Sequence, residues 1–286
     1  MAERLVIFNA DDLGISPGTN DGIQAAVEAG LVREASLCVT GIAAEAGAAM
    51  AARLGERLRV GLHLSLTLGA ARTGAIRGLT DTAGSFAPLP HVLRSCLARR
   101  VDGAAVEAEI RAQLAALRAL GIEPTHLNGH HHVHTFPVVR DALLRVLKDD
   151  PISYIRLPNE SARTAPRLAP RRLLLGHFAR RLGRSLRRLR QPPRSLPMVG
   201  LALLDEPDYR TRFLRTAGTL RCATEWMLHP RAADADFARL DHHTAGAYTH
   251  HQEELATLAD PAFVEQVRGL GIRPGRYSEL DGAQAG

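Results

Sequence analysis

The chain has 286 residues, 45% hydrophobic and 23% charged, which excludes a disordered or fibrous protein and leaves room for a sizeable core. No apolar run reaches the ~18–20 residues of a membrane span, and the opening Met1-Ala-Glu-Arg4 followed by Leu5-Val-Ile-Phe8 lacks the basic and long apolar regions of a secretory signal. The net charge of +6 is unevenly spread, because eleven arginines and no acidic residue lie between Ser161 and Leu204, so the rest of the chain is slightly acidic.

Arg4-Leu-Val-Ile-Phe8 reads as a short buried strand. It runs into Asn9-Ala-Asp11-Asp12-Leu-Gly14, and α/β folds place their chemistry at such carboxyl ends of strands. Neighbouring residues on a regular strand face opposite ways, so Asp11 and Asp12 can act together only if the backbone turns there, which Gly14 permits. An Asx turn is the plain alternative. Ser16-Pro17 already provides a cap and first-turn proline for a helix through Val27. Ala35–Gly41 reads as a second strand, 43–55 as a helix and Arg59–Thr67 as a third strand. On that third strand His63 shares a face with Gly61 and Ser65, opposite Val60, Leu62 and Leu64. Residues 69–100 are rich in Gly and Pro and read as an excursion over the mouth of the fold, possessing the features of a lid. Ala104–Leu120 is an amphipathic helix closed by Gly121.

The stretch from Pro124 to Pro137, Pro-Thr-His-Leu-Asn-Gly-His-His-His-Val-His-Thr-Phe-Pro, holds five of the thirteen histidines. Neutral imidazole is the commonest metal ligand, and packing alone does not ask for such a run. As an extended segment it sets His126, Asn128, His130, His132 and His134 on one face, with His131 and Val133 on the other. Its ends would lie roughly 26 Å apart, so one or two ligands with polar neighbours is the sensible set. A solvated histidine-rich loop is the competing reading.

Val138–Leu147 follows as a helix and Ser153–Leu157 as a strand. Between 163 and 194 the leucines recur at helical spacing among the arginines, giving a basic amphipathic helix or pair of helices. A solvated face explains it most simply; an anionic membrane surface or a phosphate-bearing substrate would use it. Nucleic acid is not expected, since no aromatic stacking set accompanies the arginines. Met198–Leu204 and Ala223–Pro230 read as the last strands, the latter carrying Glu225 and His229 in alternation with Met227; 250–269 is helical and Ile272–Leu280 closes the fold. Strand–helix alternation without a linker predicts one α/β domain on a predominantly parallel sheet, open or closed into a barrel. Cys38, Cys96 and Cys222 are odd in number and far apart, which suits a reducing, cytoplasmic setting.

The strand ends thus collect Asp11, Asp12, His63, the His130 group and His229. A carboxylate with two imidazoles suits Zn²⁺ or another first-row divalent ion, whereas Mg²⁺ usually prefers oxygen ligands. Metal-assisted hydrolysis of an amide or ester follows as the reaction class.

Asn9-Ala-Asp-Asp-Leu-Gly14, Gly61-Leu-His-Leu64, Pro124 through His134 and Leu228-His-Pro230 together resemble the YdjC-like carbohydrate deacetylases, over nearly the whole chain. The resemblance implies a distorted (β/α) barrel related to the polysaccharide deacetylase fold, one divalent ion (Zn or Mg), and N-deacetylation of an acetylated amino sugar. Carried over position by position, it implies Asp12, His63 and His130 as metal ligands, Asp11 as general base and His229 as the acid that protonates the leaving amine. His126, Asn128, His132 and Glu225 are expected to bind substrate or support the ligands. Many members carry Asp where this chain has Asn128, and a neutral amide gives an imidazole no charged partner. The low aromatic content, 4%, argues for a small or lipid-linked sugar and against a polymer groove. A non-sugar amide substrate, or a scaffold with a vestigial site, are the alternatives; peripheral membrane contact and a homodimer are both compatible with the sequence.

Overall fold

The structure, a computed structural model, describes residues 3–160, 170–203, 207–240 and 248–281. Strand β1 (Arg4–Leu13) is the central member of a parallel sheet. On one side follow β2 (Glu34–Leu37), β3 (Arg59–Leu64) and β4 (Leu127–Gly129); on the other lie β6 (Thr224–Leu228) and β5 (Met198–Val199), and β7 (Ile272–Pro274) pairs the start of β1. The sheet then curls back on itself. Residues 153–156 bond to β4 through Leu127 N–Tyr154 O and Arg156 N–Leu127 O, and to the other side through Arg194 N–Ser153 O. Three residues later Glu225 N bonds to Pro197 O and β5 joins β6. This is the expected α/β barrel architecture in distorted form, with strands of very unequal length.

Ten helices among the described residues pack around the sheet. They are α1 (Pro17–Glu28), α2 (Ala44–Leu54), α3 (Leu89–Leu97), α4 (Gly103–Ala119), α5 (Pro137–Asp149), α6 (Pro170–Leu186), α7 (Tyr209–Thr219), α8 (Ala235–Leu240), α9 (Tyr248–Leu258) and α10 (Pro261–Gly269). The alternation of β1 sends Val6, Phe8 and Ala10 outward into the main core under these helices. There Phe213 of α7 stacks on Trp226 at 3.9 Å between centroids and lies 5.9 Å from Phe8. Helix α7 thus carries the aromatic anchor of this core. Residues 69–100 are tied down, not loose: Ile76, Leu79, Val92 and Cys96 are fully buried. The buried carboxylate of Glu109 accepts from Arg72 N, Thr73 N and the Thr73 hydroxyl at 2.8–3.0 Å.

The inward face is different in kind. Ile7 meets Tyr154, Tyr277 and Leu280 in a small apolar floor at the amino end, and above it the inward residues are polar. Glu34 sits at this level, accepting from Tyr277 N at 3.1 Å and the Thr125 hydroxyl at 3.3 Å, with His126 Nδ1 3.7 Å away. Gly61 is required here, because a Cβ would stand 2.3 Å from the His126 carbonyl oxygen and 2.5 Å from its ring. Burial pushes the Glu34 carboxyl up to about 7, against the bonds from Tyr277 and Thr125. The native protein therefore holds a proton that the unfolded chain releases near 4.5, and stability falls as pH rises from there to about 7. Replacing Glu34 with Gln should flatten that decline and stabilise the protein above pH 7 by on the order of a few kcal/mol. Urea unfolding at pH 5 and pH 8 measures it; equal slopes for parent and variant would show that Glu34 does not titrate in this window.

Candidate metal centre

At the carboxyl end of the sheet, β1 does what the adjacent aspartates require. Its register against β2 shifts between Ala10 and Leu13, and Asp12 takes a left-handed backbone, φ 70°, a conformation that Asp tolerates better than most residues. The bulge aims both carboxylates into the same mouth. His63 Nε2 of β3 lies 3.1 Å from Asp12 Oδ1, and His130 Nδ1 lies 3.0 Å from the same oxygen. One ligand atom from each of Asp12, His63 and His130 lies within 4.8 Å of the others, and all three residues are buried.

The surroundings fix which atoms are offered. His63 Nδ1 is 2.7 Å from Asn128 Oδ1 and 3.1 Å from the Ser36 hydroxyl, so Nδ1 carries a proton and Nε2 faces Asp12. That buried Nε2 has no hydrogen-bond partner. A lone pair set against a carboxylate is favourable only when a proton or a cation lies between them. Burial alone would raise the Asp12 carboxyl, yet His130 and His63 beside it hold it well below the ordinary range. A divalent cation fits this donor set, with first-row metals matched better than Mg²⁺ to two imidazole nitrogens.

Asp11 is held by a group that the strand alternation hides in the sequence. Arg156 is fully buried; its Nη1 donates to Asp11 Oδ2, its Nη2 to Asp11 Oδ1 at 2.8 Å and its Nε to Glu225 Oε1 at 2.5 Å. The other Glu225 oxygen accepts from Tyr154 at 3.1 Å. Asp11 Oδ1 also accepts from Asn9, Asn128 and Ser36 at 2.6, 3.1 and 3.2 Å. Burial would raise Asp11, but Arg156 foremost and His63 and His229 after it keep it far below the carboxylate range. His229 lies just past β6, with Nε2 3.9 Å from Asp11 Oδ2. Its backbone is clamped by α9: His229 N donates to Glu254 at 2.8 Å, and His251 Nδ1 bonds to the His229 carbonyl at 3.1 Å. Burial lowers His229, against the pull of Asp12 and Asp11.

The histidine stretch departs from the expected extended face. β4 ends at Gly129, and His130–Thr135 form a 3-10 turn interrupted by left-handed His131 (φ 51°) and His132 (φ 56°). Period-two alternation therefore stops at His130. His126 lies inside the sheet, below Asn128, bonded to Thr125 and with its ring 4.4 Å from Tyr277, so it does not meet the triad. His134 bonds to the Arg156 carbonyl at 3.0 Å, and burial lowers it to about 3. His131 contacts Thr67 at 3.0 Å. His132 remains at the edge of the site; burial, then Arg156, hold it well below the usual histidine range. Glu225 reaches Asp11 only through Arg156. Arg156, Ser36, Asn9 and Glu254 were not singled out by the sequence; only an ionisable residue in the inward phase of the 153–157 strand could have pointed to Arg156.

Among the described residues Arg156 is the sole guanidinium balancing Asp11 and Glu225, so Arg156→Gln leaves two buried carboxylates short of charge. We expect a loss of about 3–5 kcal/mol in urea unfolding, with Arg156→Lys recovering only part because one ammonium cannot reproduce the fork. The pairing depresses Asp11, so its contribution is full above the unfolded value of 3.8 and is lost as pH falls below it. A Gln variant as stable as the parent at pH 7 would refute this role.

The family model for YdjC-like proteins matches residues 5–269. A carbohydrate deacetylase of Geobacillus stearothermophilus is 31% identical over 97% of this chain and 98% of its own length. Carbohydrate deacetylases of Vibrio cholerae and Homo sapiens are 39% and 38% identical over 50% and 55% of the chain, and the chain spans about half the length of each, 55% and 49%. Among solved structures, one from Enterococcus faecalis V583 superposes with a TM-score of 0.73 at 19% identity, covering 98% of this chain and 99% of that one. A family 4 carbohydrate esterase from Streptomyces lividans shares the fold at a TM-score of 0.50 and 12% identity, covering 99% and 97%.

Proposed function

The chain belongs to the YdjC-like protein family, and from that premise we propose that it is a carbohydrate deacetylase, a metal-dependent hydrolase that removes the acetyl group from an N-acetylated amino sugar. The observation that carries this reading is the convergence of Asp12, His63 and His130 on one point beside a second carboxylate, Asp11, and a second imidazole, His229. The full-length relative supports the substrate class.

In this reading Asp12, His63 and His130 hold one divalent ion, of which Zn²⁺ fits the nitrogen-rich set best. When bound, such an ion makes water a stronger acid and polarises an amide carbonyl. Asn128 and Ser36 keep the His63 proton on Nδ1, leaving Nε2 available. Asp11 takes a proton from the attacking water as the C–O bond forms, and His229 delivers one to the amine nitrogen as the C–N bond breaks, releasing acetate and the free amino sugar. His132 borders the space that the acetamido group occupies. The substrate is a small or lipid-linked sugar, because few aromatic side chains are available for stacking a polymer.

One observation favours a second assignment of the proton acceptor. Asp11 Oδ1 already receives four donors and the carboxylate is anchored by Arg156, which makes it a weak base. His229, lowered by burial, is the more basic neutral group nearby. In that variant His229 both receives the water's proton and passes it to the amine, with Asp11 orienting it.

Elemental analysis and acetate release on N-acetylated sugars test the proposal together. His63→Ala and His130→Ala should each lose most of the bound ion; full occupancy in both would refute the ligand set. Asp11→Asn should retain the ion while turnover falls by roughly 10²–10⁴, the range for a lost general acid or base. Should Asp11→Asn keep turnover within a few-fold while His229→Ala abolishes it, His229 is the proton acceptor. No acetate release by the metal-loaded parent from any N-acetylated amino sugar would overturn the substrate class.

A further inference from the structure

Helix α6 presents a face that the catalytic reading does not use. Its inner side, with Phe178, Leu182 and Leu186, is buried; Phe178 meets Phe136 at 5.9 Å, and Gly183 lies against Leu157. At 3.6 residues per turn, Arg180, Arg181 and Arg184 project together from the opposite side within roughly 100° of arc, and Arg187 and Arg188 follow directly after the helix end at Leu186. All five are exposed. Leu173, 54% exposed, falls within the same arc, and Leu174, 39% exposed, lies at its edge. No carboxylate forms an ion pair with any of these five arginines among the described residues. The arginines of the expected basic stretch before residue 170 lie outside the described residues.

A protein elsewhere generous with ion pairs leaves this row of cations open to solvent. At the amino end of the sheet, Arg268 and Arg273 also border a surface cavity of about 350 Å³, but they are paired with Glu265 and Glu279. The position of α6 matters as well. Gly176 stands against Asn159, just past the carboxyl end of the 153–156 segment, so the leucine-bearing end of the helix lies at the level of the metal centre. It packs beside the histidine turn.

We propose that this face of α6 docks the protein peripherally on an anionic phospholipid bilayer, with the arginines at the phosphate level and Leu173 and Leu174 entering the interface. Charge complementarity selects the occupant: a one-signed row of flexible cations matches a continuous anionic surface, and adjoining leucines gain only where an apolar phase lies just beneath the charges. Duplex nucleic acid would satisfy the arginines but offers the leucines nothing. The contact is peripheral, since no helix among the described residues is long and apolar enough to cross a membrane. The proposal does not depend on the deacetylase reading.

Co-sedimentation with vesicles tests it. The parent should pellet with phosphatidylglycerol vesicles at low salt, stay soluble with phosphatidylcholine vesicles, and release as salt rises. Gln at Arg180, Arg181, Arg187 and Arg188 should lower partitioning on the order of 10²–10³-fold, from the contribution of each basic residue near such a surface. Lys at the same four positions should restore most of it, which separates charge from fold and from any specific guanidinium site. Leu173→Ser with Leu174→Ser should weaken binding several-fold without changing its salt dependence. Any of three results would overturn the proposal: no pelleting of the parent with the anionic vesicles, a Gln variant that pellets like the parent, or tighter binding to duplex DNA than to vesicles at equal phosphate concentration.

Discussion

The interior of this sheet depends on one guanidinium. Arg156 lies among inward-facing residues that include Asp11 and Glu225, and it bonds to both. Without it two buried carboxylates would lie uncompensated, at a cost of several kcal/mol per charge. With it, polar residues can occupy an interior that would otherwise have to be filled with aliphatic side chains, and the upper end of that interior becomes a site. The fork geometry is what makes one cation sufficient: its terminal nitrogens grip Asp11 while Nε is left for Glu225. Tyr154 then satisfies the second Glu225 oxygen.

The second constraint is local to β1. Two adjacent aspartates can serve one site only where the strand stops being a strand, and the register shift after Ala10 with Asp12 in a left-handed conformation provides that. Asp12 then belongs to the imidazoles and Asp11 to the guanidinium. Identical side chains one residue apart thereby receive opposite surroundings: one faces two imidazoles, the other is saturated with donors. The sequence made this division legible in outline, because Asp-Asp-Leu-Gly after a buried run already asks for a turning backbone.

Much of the fold could be read from the chain because its outward faces are strongly patterned: Val60, Leu62 and Leu64 alternate with Gly61 and His63, and α4 announces itself by spacing and its closing glycine. What stayed hidden was non-local. The histidine run looked like one continuous face because alternation is a local rule, whereas its true course is set by the space left beside Arg156 and Thr67, where His134 and His131 find their partners. Arg156 itself read as one more residue of a short strand, and nothing near Glu254 or His251 in the chain signals that they clamp a histidine more than twenty positions away. The interior phase of each strand decides these roles, and it becomes visible only once the curl of the sheet is known.

Asn128 shows how the charge balance constrains identity. Its Oδ1 faces His63 while its Nδ2 donates to Asp11 and to Ser36, so the amide joins the His63 imidazole to the carboxylate through opposite ends. An aspartate there would strengthen the partner of His63 but would set an acceptor against Asp11 Oδ1, 3.1 Å away, with Arg156 already committed to Glu225 and Asp11. It could be accommodated only by holding a proton or by pushing one onto Asp11, which would neutralise that carboxylate. The neutral amide avoids that conflict. In this chain the positive charge that holds Asp11 ionised comes foremost from Arg156, and Asn128 is free to bridge Asp11 and His63 without adding a charge of its own.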